Sequence, residues 1–148
     1  MRPMDTAGQL RALGRMERRA LQLAVFLAAF VPVAAGGAGA VWGARAFGRW
    51  PGVGADSHLR YLSGLLLGLG VAFWACIPAI ERRGGVIGAL TFLVVVGGLA
   101  RLAGIFLVGD PGRMHFALIM ELGVAPALCL WQARVARLTP RPGTPDRA

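Results

Sequence analysis

The sequence predicts an all-α, membrane-embedded four-helix bundle with short loops, preceded by an amphipathic interfacial N-terminal segment. Three observations predict it. The 148-residue chain is 56% hydrophobic and only 16% charged, with a mean hydropathy of +0.61; a soluble domain of that size carries more charge and fewer apolar residues. The apolar residues fall into four blocks, each near the roughly 20 residues that a helix needs to cross about 30 Å of hydrocarbon. All 16 basic residues are arginine, and nearly all lie at the ends of those blocks, where membrane proteins carry the charges that orient them.

Residues 1–19 form a basic N-terminal segment. Asp5 or Thr6 can cap a helix there. Leu10, Leu13 and Met16 then share a side at three-residue spacing, with Arg11, Arg15, Arg18 and Arg19 elsewhere. That pattern suits a helix lying on an anionic leaflet; a short basic tail without structure is the alternative. The first span, Ala20 to Trp42, contains Pro32 and then a Gly/Ala-rich half. Its basic start and Ala38-Gly39-Ala40 also fit a signal peptide, but apolar sequence continuing through Val41 and Trp42 favours a retained span. Trp42 and Trp50 suit an interfacial belt.

Loop one, residues 43–58, holds Gly and Pro together with Asp56 and His58. The second span covers Leu59 to Ile80. The following "ERRGG" is so short that spans two and three must be antiparallel neighbours. Span three runs from Gly85 to Val108, the "GDPGR" turn follows, and span four covers Met114 to Trp131. Residues 20–135 thus make one transmembrane domain. The Pro-rich remainder, 136–148, reads as a disordered tail.

Eleven of the 16 arginines lie in the N-terminal segment, in loop two and beyond Trp131. The positive-inside rule therefore places both termini in the cytoplasm; the heavy use of Arg, Ala and Gly suggests a GC-rich bacterial genome, and the expected location is the inner (cytoplasmic) membrane. The net charge of +9 has no recognition module behind it, so no nucleic-acid partner is expected. Cys76 and Cys129 fall inside spans and form no CxxC, unlike the disulfide-generating membrane enzymes; as small buried hydrophobes they should remain thiols.

The chemistry concentrates in "GGLARLAGIFLV", where Arg101 interrupts an apolar run. Arg101 lies seven residues before Val108, and Glu121 lies seven after Met114. At about 1.5 Å per residue both sit roughly 10 Å from the same membrane boundary, on adjacent helices. Glu121 is therefore the expected counter-ion of Arg101. Gly97, Gly98 and Gly104, three or four residues from Arg101, predict a small face that admits a neighbouring backbone. Arg60, Gly64 and Gly68 repeat the pattern at i, i+4. Pro126 frees the Leu122 carbonyl near Glu121. The expected result is a polar pocket in the outer half of the bundle, built from Arg60, Arg101 and Glu121, with Asp56, His58, Asp110 and His115 at its mouth. The alternative is that the ion pair only fixes helix register. The spacing of these His and Asp residues matches no metal motif, so neither a metal nor a cofactor is assigned. Tyr61 and Trp74 read as packing residues.

The blocks "RYLSGLLLGLGVAFW" and "FLVVVGGLARLAGIFLVGDPGRMHFALIMELGVAPALCLW" give the chain a family likeness. Over roughly residues 20–135 it resembles the small bacterial membrane proteins grouped as domain of unknown function 4345. The likeness is carried by the Gly-rich second span, the G-x-x-R segment with its Gly-Asp-Pro turn, and the E-L-x-x-A-P segment. It implies a four-helix membrane protein with Arg101, Glu121 and Pro126 at matching positions, and no assigned activity. A looser likeness to DoxX-like four-helix proteins, some of which are subunits of membrane redox complexes, is one of architecture.

Three functions are compatible with these residues. The first is a non-enzymatic accessory or structural subunit of a larger membrane complex or homo-oligomer, favoured by glycine-lined faces on several spans. The second is a binding or transport protein for a small anionic or quinone-like ligand, since two arginines against one glutamate leave a net positive pocket. The third is a membrane enzyme, for which no nucleophile–base pair and no metal motif can be named.

Overall fold

The computed structural model describes residues 6–48, 52–109 and 115–138, with side chains from residue 12 onward. Asp5, Trp50, Asp110, the Gly-Asp-Pro turn and the residues after Leu138 lie outside the described residues.

The described chain is all helical. Helix α1 spans Thr6–Trp42 and passes into a 3-10 turn, Gly43–Phe47. Helix α2, Val53–Cys76, is extended by a 3-10 segment, Ile77–Arg82. Helix α3 covers Gly84–Val108. The last span opens with α4, His115–Leu118, passes through a π-helical segment, Ile119–Val124, and ends as α5, Ala125–Leu138. Four stretches are long and apolar enough to cross a membrane: Ala12–Phe47, Val53–Arg82, Gly84–Val108 and His115–Leu138.

The boundaries refine the sequence reading in three places. The N-terminal amphipathic segment, where described, is not a separate element but the start of α1, whose 37 residues measure about 55 Å at 1.5 Å per residue. Such a helix outruns the hydrocarbon, so its N-terminal turns stand beyond it. Loop one is shorter than its Gly and Pro content suggests, because residues 53–58 are the first turns of α2. Residues 136–138 belong to α5 and not to the tail.

Helices α1 and α2 pack as an antiparallel pair along their length. Gly36 and Gly39 of α1 face Ser63 and Leu67 of α2. A Cβ on Gly36 would come within 2.5 Å of the Leu67 nitrogen and 2.7 Å of the Ser63 carbonyl oxygen, so only hydrogen fits. Small faces of this kind let membrane helices gain dispersion energy, in the absence of a hydrophobic drive between them. Toward the terminal end of the bundle the pair is held by polar contacts. Trp74 donates to the Phe26 carbonyl at 3.1 Å and stacks on the Phe26 ring at 5.3 Å. Gln22 donates to the Ile77 carbonyl at 2.8 Å.

Helix α3 and the fourth span make the second antiparallel pair. The apolar core that joins the two pairs lies toward the terminal end: Leu21, Val25, Cys76, Ile80, Ile87 and Val135 are all buried there. Buried Gln132 crosses between pairs, donating to the Ile80 carbonyl at 2.9 Å. Cys76 is buried, Cys129 half-buried, and both are free thiols.

The glycine faces come out differently from their spacing. A Cβ on Gly64, Gly68, Gly97 or Gly104 would meet nothing within 4 Å, and only Gly98 carries a close approach. The i, i+4 rule assigns residues to a common face, but which face meets a neighbour depends on the partner. On α2 that face is centred on Ser63 and Gly70, which are buried, while Gly64 and Gly68 are exposed.

Candidate functional site

Arg101 and Glu121 meet as a two-pronged pair. Arg101 Nε donates to Glu121 Oε2 at 3.0 Å and Nη2 to Oε1 at 3.0 Å, the parallel geometry that makes guanidinium–carboxylate contacts strong and directional. An unpaired charge at this depth would be strongly unfavourable. The pair lies inside one antiparallel pair of helices, α3 against the fourth span, and is half-buried, with side-chain exposures of 37% and 21%.

A local widening of the helix positions Glu121. The carboxylate belongs to the π segment, where the Ala125 N–H reaches back to the Met120 carbonyl. Pro126 follows at once; a proline ring inside a helix crowds the carbonyl four residues earlier, and the wide turn ahead of it takes up that crowding. The swelling needs room on the facing helix, and Gly98 supplies it. A Cβ on Gly98 would sit 2.9 Å from the Glu121 Cβ and 2.8 Å from Leu122 Cδ2. Sequence spacing finds the pair but not the π segment, whose one signal is Pro126 close behind Gly123.

Arg60 and Asp56 form a second cluster where α1 ends and α2 begins. Asp56 Oδ2 accepts from Arg60 Nε at 2.8 Å, and Oδ1 accepts the Ala44 backbone N–H at 2.8 Å. Arg60 Nη1 donates to the carbonyls of Ala40 at 3.1 Å and Val41 at 2.7 Å. The guanidinium thus satisfies carbonyls in the last turn of α1, whose dipole favours a cation there. Gly43 makes the arrangement fit: its φ is +61°, and a Cβ on it would collide with Asp56 Oδ1. Asp56→Asn keeps an acceptor for Ala44 but removes the charge opposite Arg60, and should lower stability by about 1 kcal/mol. Gly43→Ala adds backbone strain to the collision and should lower it further. Thermal unfolding of both variants in one detergent checks the order.

The contacts that hold Arg60 run to α1 and Asp56, and those between Arg101 and Glu121 join α3 to the fourth span. His58 is exposed on α2, and His115 is exposed at the first residue of α4. Among the described residues no group of three His, Cys, Asp or Glu gathers as a metal site. Trp74 packs as described above, whereas Tyr61 is exposed. A third polar group, not foreseen from the sequence, ties the terminal end: Arg18 pairs with Glu81 at 3.0 Å and Arg134 with Glu17 at 2.9 Å. Arg18 also donates to the Pro78 carbonyl at 3.0 Å.

Four apolar spans in two antiparallel pairs, with a forked arginine–glutamate contact between two of them, define a small multi-pass helical membrane protein. Residues 20–132 match the family model described as domain of unknown function (DUF4345), and the chain belongs to that family. No curated protein and no solved structure matches it.

Proposed function

We propose that this protein is a non-enzymatic accessory or structural subunit of an assembly in the bacterial inner membrane, whether with other proteins or with further copies of itself. The observation that carries this reading is the set of outward glycines: Gly64 and Gly68 on α2, Gly97 and Gly104 on α3, each with open space where a Cβ would be. A glycine inside a helix lowers its stability by about 1 kcal/mol relative to alanine. Against lipid nothing offsets that loss; against another helix, close backbone approach does. Gentle extraction into native nanodiscs, followed by mass spectrometry of everything that co-elutes, tests it. A stoichiometric protein or a second copy supports the proposal, and a monomer carrying a stoichiometric small anion or quinone overturns it.

The second reading is a site for such an anionic or quinone-like ligand, built from Arg60, Arg101 and Glu121 with Asp56, His58, Asp110 and His115 at its mouth. Its support is the π segment that holds Glu121, since π-bulges are frequent at functional sites. An enzyme reading still lacks a nucleophile–base pair.

Both termini are assigned to the cytoplasm, because eleven of the 16 arginines lie on their side. A reporter active only in the periplasm, fused after Ala148, should be silent; strong signal would reverse the orientation.

A further inference from the structure

The terminal end of the bundle carries more positive charge than its own carboxylates neutralise. Arg15, Arg18, Arg19, Arg82, Arg83, Arg134 and Arg137 lie there, and the described carboxylates at that end are Glu17 and Glu81. Those two are already engaged, by Arg134 and Arg18, and the second oxygen of Glu17 is buried. Arg15, Arg19, Arg82 and Arg83 are exposed.

Helical spacing and the contacts on α1 bring these four together. Arg15, Arg19, Gln22 and Phe26 follow one another at steps of four, three and four residues, along one side of α1. Gln22 bonds to Ile77 and Phe26 stacks on Trp74, so that side runs along the end of α2. Arg18 bonds to Pro78 and Glu81, holding the 3-10 segment Ile77–Arg82 beside the same turns of α1. Arg82 and Arg83 close that segment. Two arginine pairs, from two elements, therefore flank one junction.

The junction also lies at the hydrocarbon boundary. Apolar sequence begins at Ala20 on α1 and ends before Glu81 on α2. Below the arginines, Leu23, Phe26, Leu27 and Phe30 are exposed large apolar side chains. The surface is thus cationic at the headgroup level and apolar beneath it. We propose that this junction binds an anionic phospholipid carrying two phosphates, of the cardiolipin class, with one phosphate at Arg15 and Arg19 and the other at Arg82 and Arg83. Guanidinium forks match phosphate oxygens two at a time, and basic recesses between membrane helices suit such headgroups. The acyl chains would lie along the apolar strip of α1.

The test uses the purified full chain in phosphatidylcholine nanodiscs containing a small fraction of either cardiolipin or phosphatidylglycerol at matched charge. Native mass spectrometry reads the lipid retained, and titration of labelled lipid gives its affinity. The wild-type protein should retain cardiolipin in preference to phosphatidylglycerol. R15Q/R19Q and R82Q/R83Q should each weaken it about thirtyfold, from about fivefold per arginine near the surface. R45Q, in the 3-10 turn Gly43–Phe47 at the opposite end of α1, should leave the affinity unchanged. Equal retention of the two lipids by wild type overturns the proposal without recourse to any variant. So does displacement of the lipid by millimolar inorganic phosphate, which would reveal a plain anion site. Double variants that keep wild-type helicity and wild-type affinity overturn it as well.

Discussion

Glu121→Leu is expected to destabilise the protein by about 3–5 kcal/mol, because it strands the Arg101 guanidinium within the membrane. Arginine does not lose its proton under any accessible condition, so the stranded charge has no chemical escape. Arg101→Met should be tolerated better, since a carboxyl group, unlike a guanidinium, has a neutral form open to it. The double variant, Met and Leu together, should fall well short of the sum of the singles, because neither charge is then left without a partner. Reversible unfolding of all four proteins in one micelle system measures the cycle. Strictly additive losses would show that the forked contact contributes nothing to the fold. If the double variant keeps wild-type stability but loses the assembly proposed above, the pair serves assembly and not net stability.

The second large effect is expected at Gly36. Gly36→Ala drives a methyl group into the Leu67 nitrogen and the Ser63 carbonyl oxygen, which are backbone atoms and cannot swing aside as a side chain would. Overpacking of this kind lowers stability by about 1–3 kcal/mol and should push α1 and α2 apart. The neighbouring Gly37 is the control. A Cβ there meets nothing within 4 Å, so Gly37→Ala should be neutral, or stabilising by up to about 1 kcal/mol through helix propensity. Melting curves of the two variants should move in opposite directions or differ plainly in size. Equal shifts would mean that the α1–α2 contact is not the tight seam described.

How much of this was legible follows from what each signal measures. Hydropathy reports burial in lipid, and the apolar block from Gly85 to Val108 falls within one helix, α3, Gly84–Val108. It reports nothing about where a helix continues into water, so the helix expected in the N-terminal segment is not seen to be continuous with the first span, nor α2 to start ahead of its apolar block. Depth counting paired Arg101 with Glu121 because a five-residue turn leaves little freedom in register. Glycine spacing was a weaker guide. It grouped Gly97, Gly98 and Gly104 correctly around Arg101, but only Gly98 touches the facing helix. Gln22 and Gln132 escaped notice because a single amide in an apolar run has no periodicity; both turn out to bond free carbonyls of the 3-10 segment between α2 and α3. Gly43 carries no signal of its own until the Asp56–Arg60 cluster around it is known.

The apolar core that unites the two helix pairs sits toward one end, while the two outer charge clusters belong to different pairs. Arg60 with Asp56 rides on α1 and α2, and Arg101 with Glu121 rides on α3 and the fourth span. The molecule is therefore built like forceps, riveted near the termini and tipped with a cluster on each arm. From Cys76 to Arg60 and from Ile87 to Arg101 the arms measure about 20 Å at 1.5 Å per residue, so a change of a few degrees at the rivet moves the tips by about an ångström or more. A neighbour pressing against the Gly97–Gly104 flank would act on one arm alone.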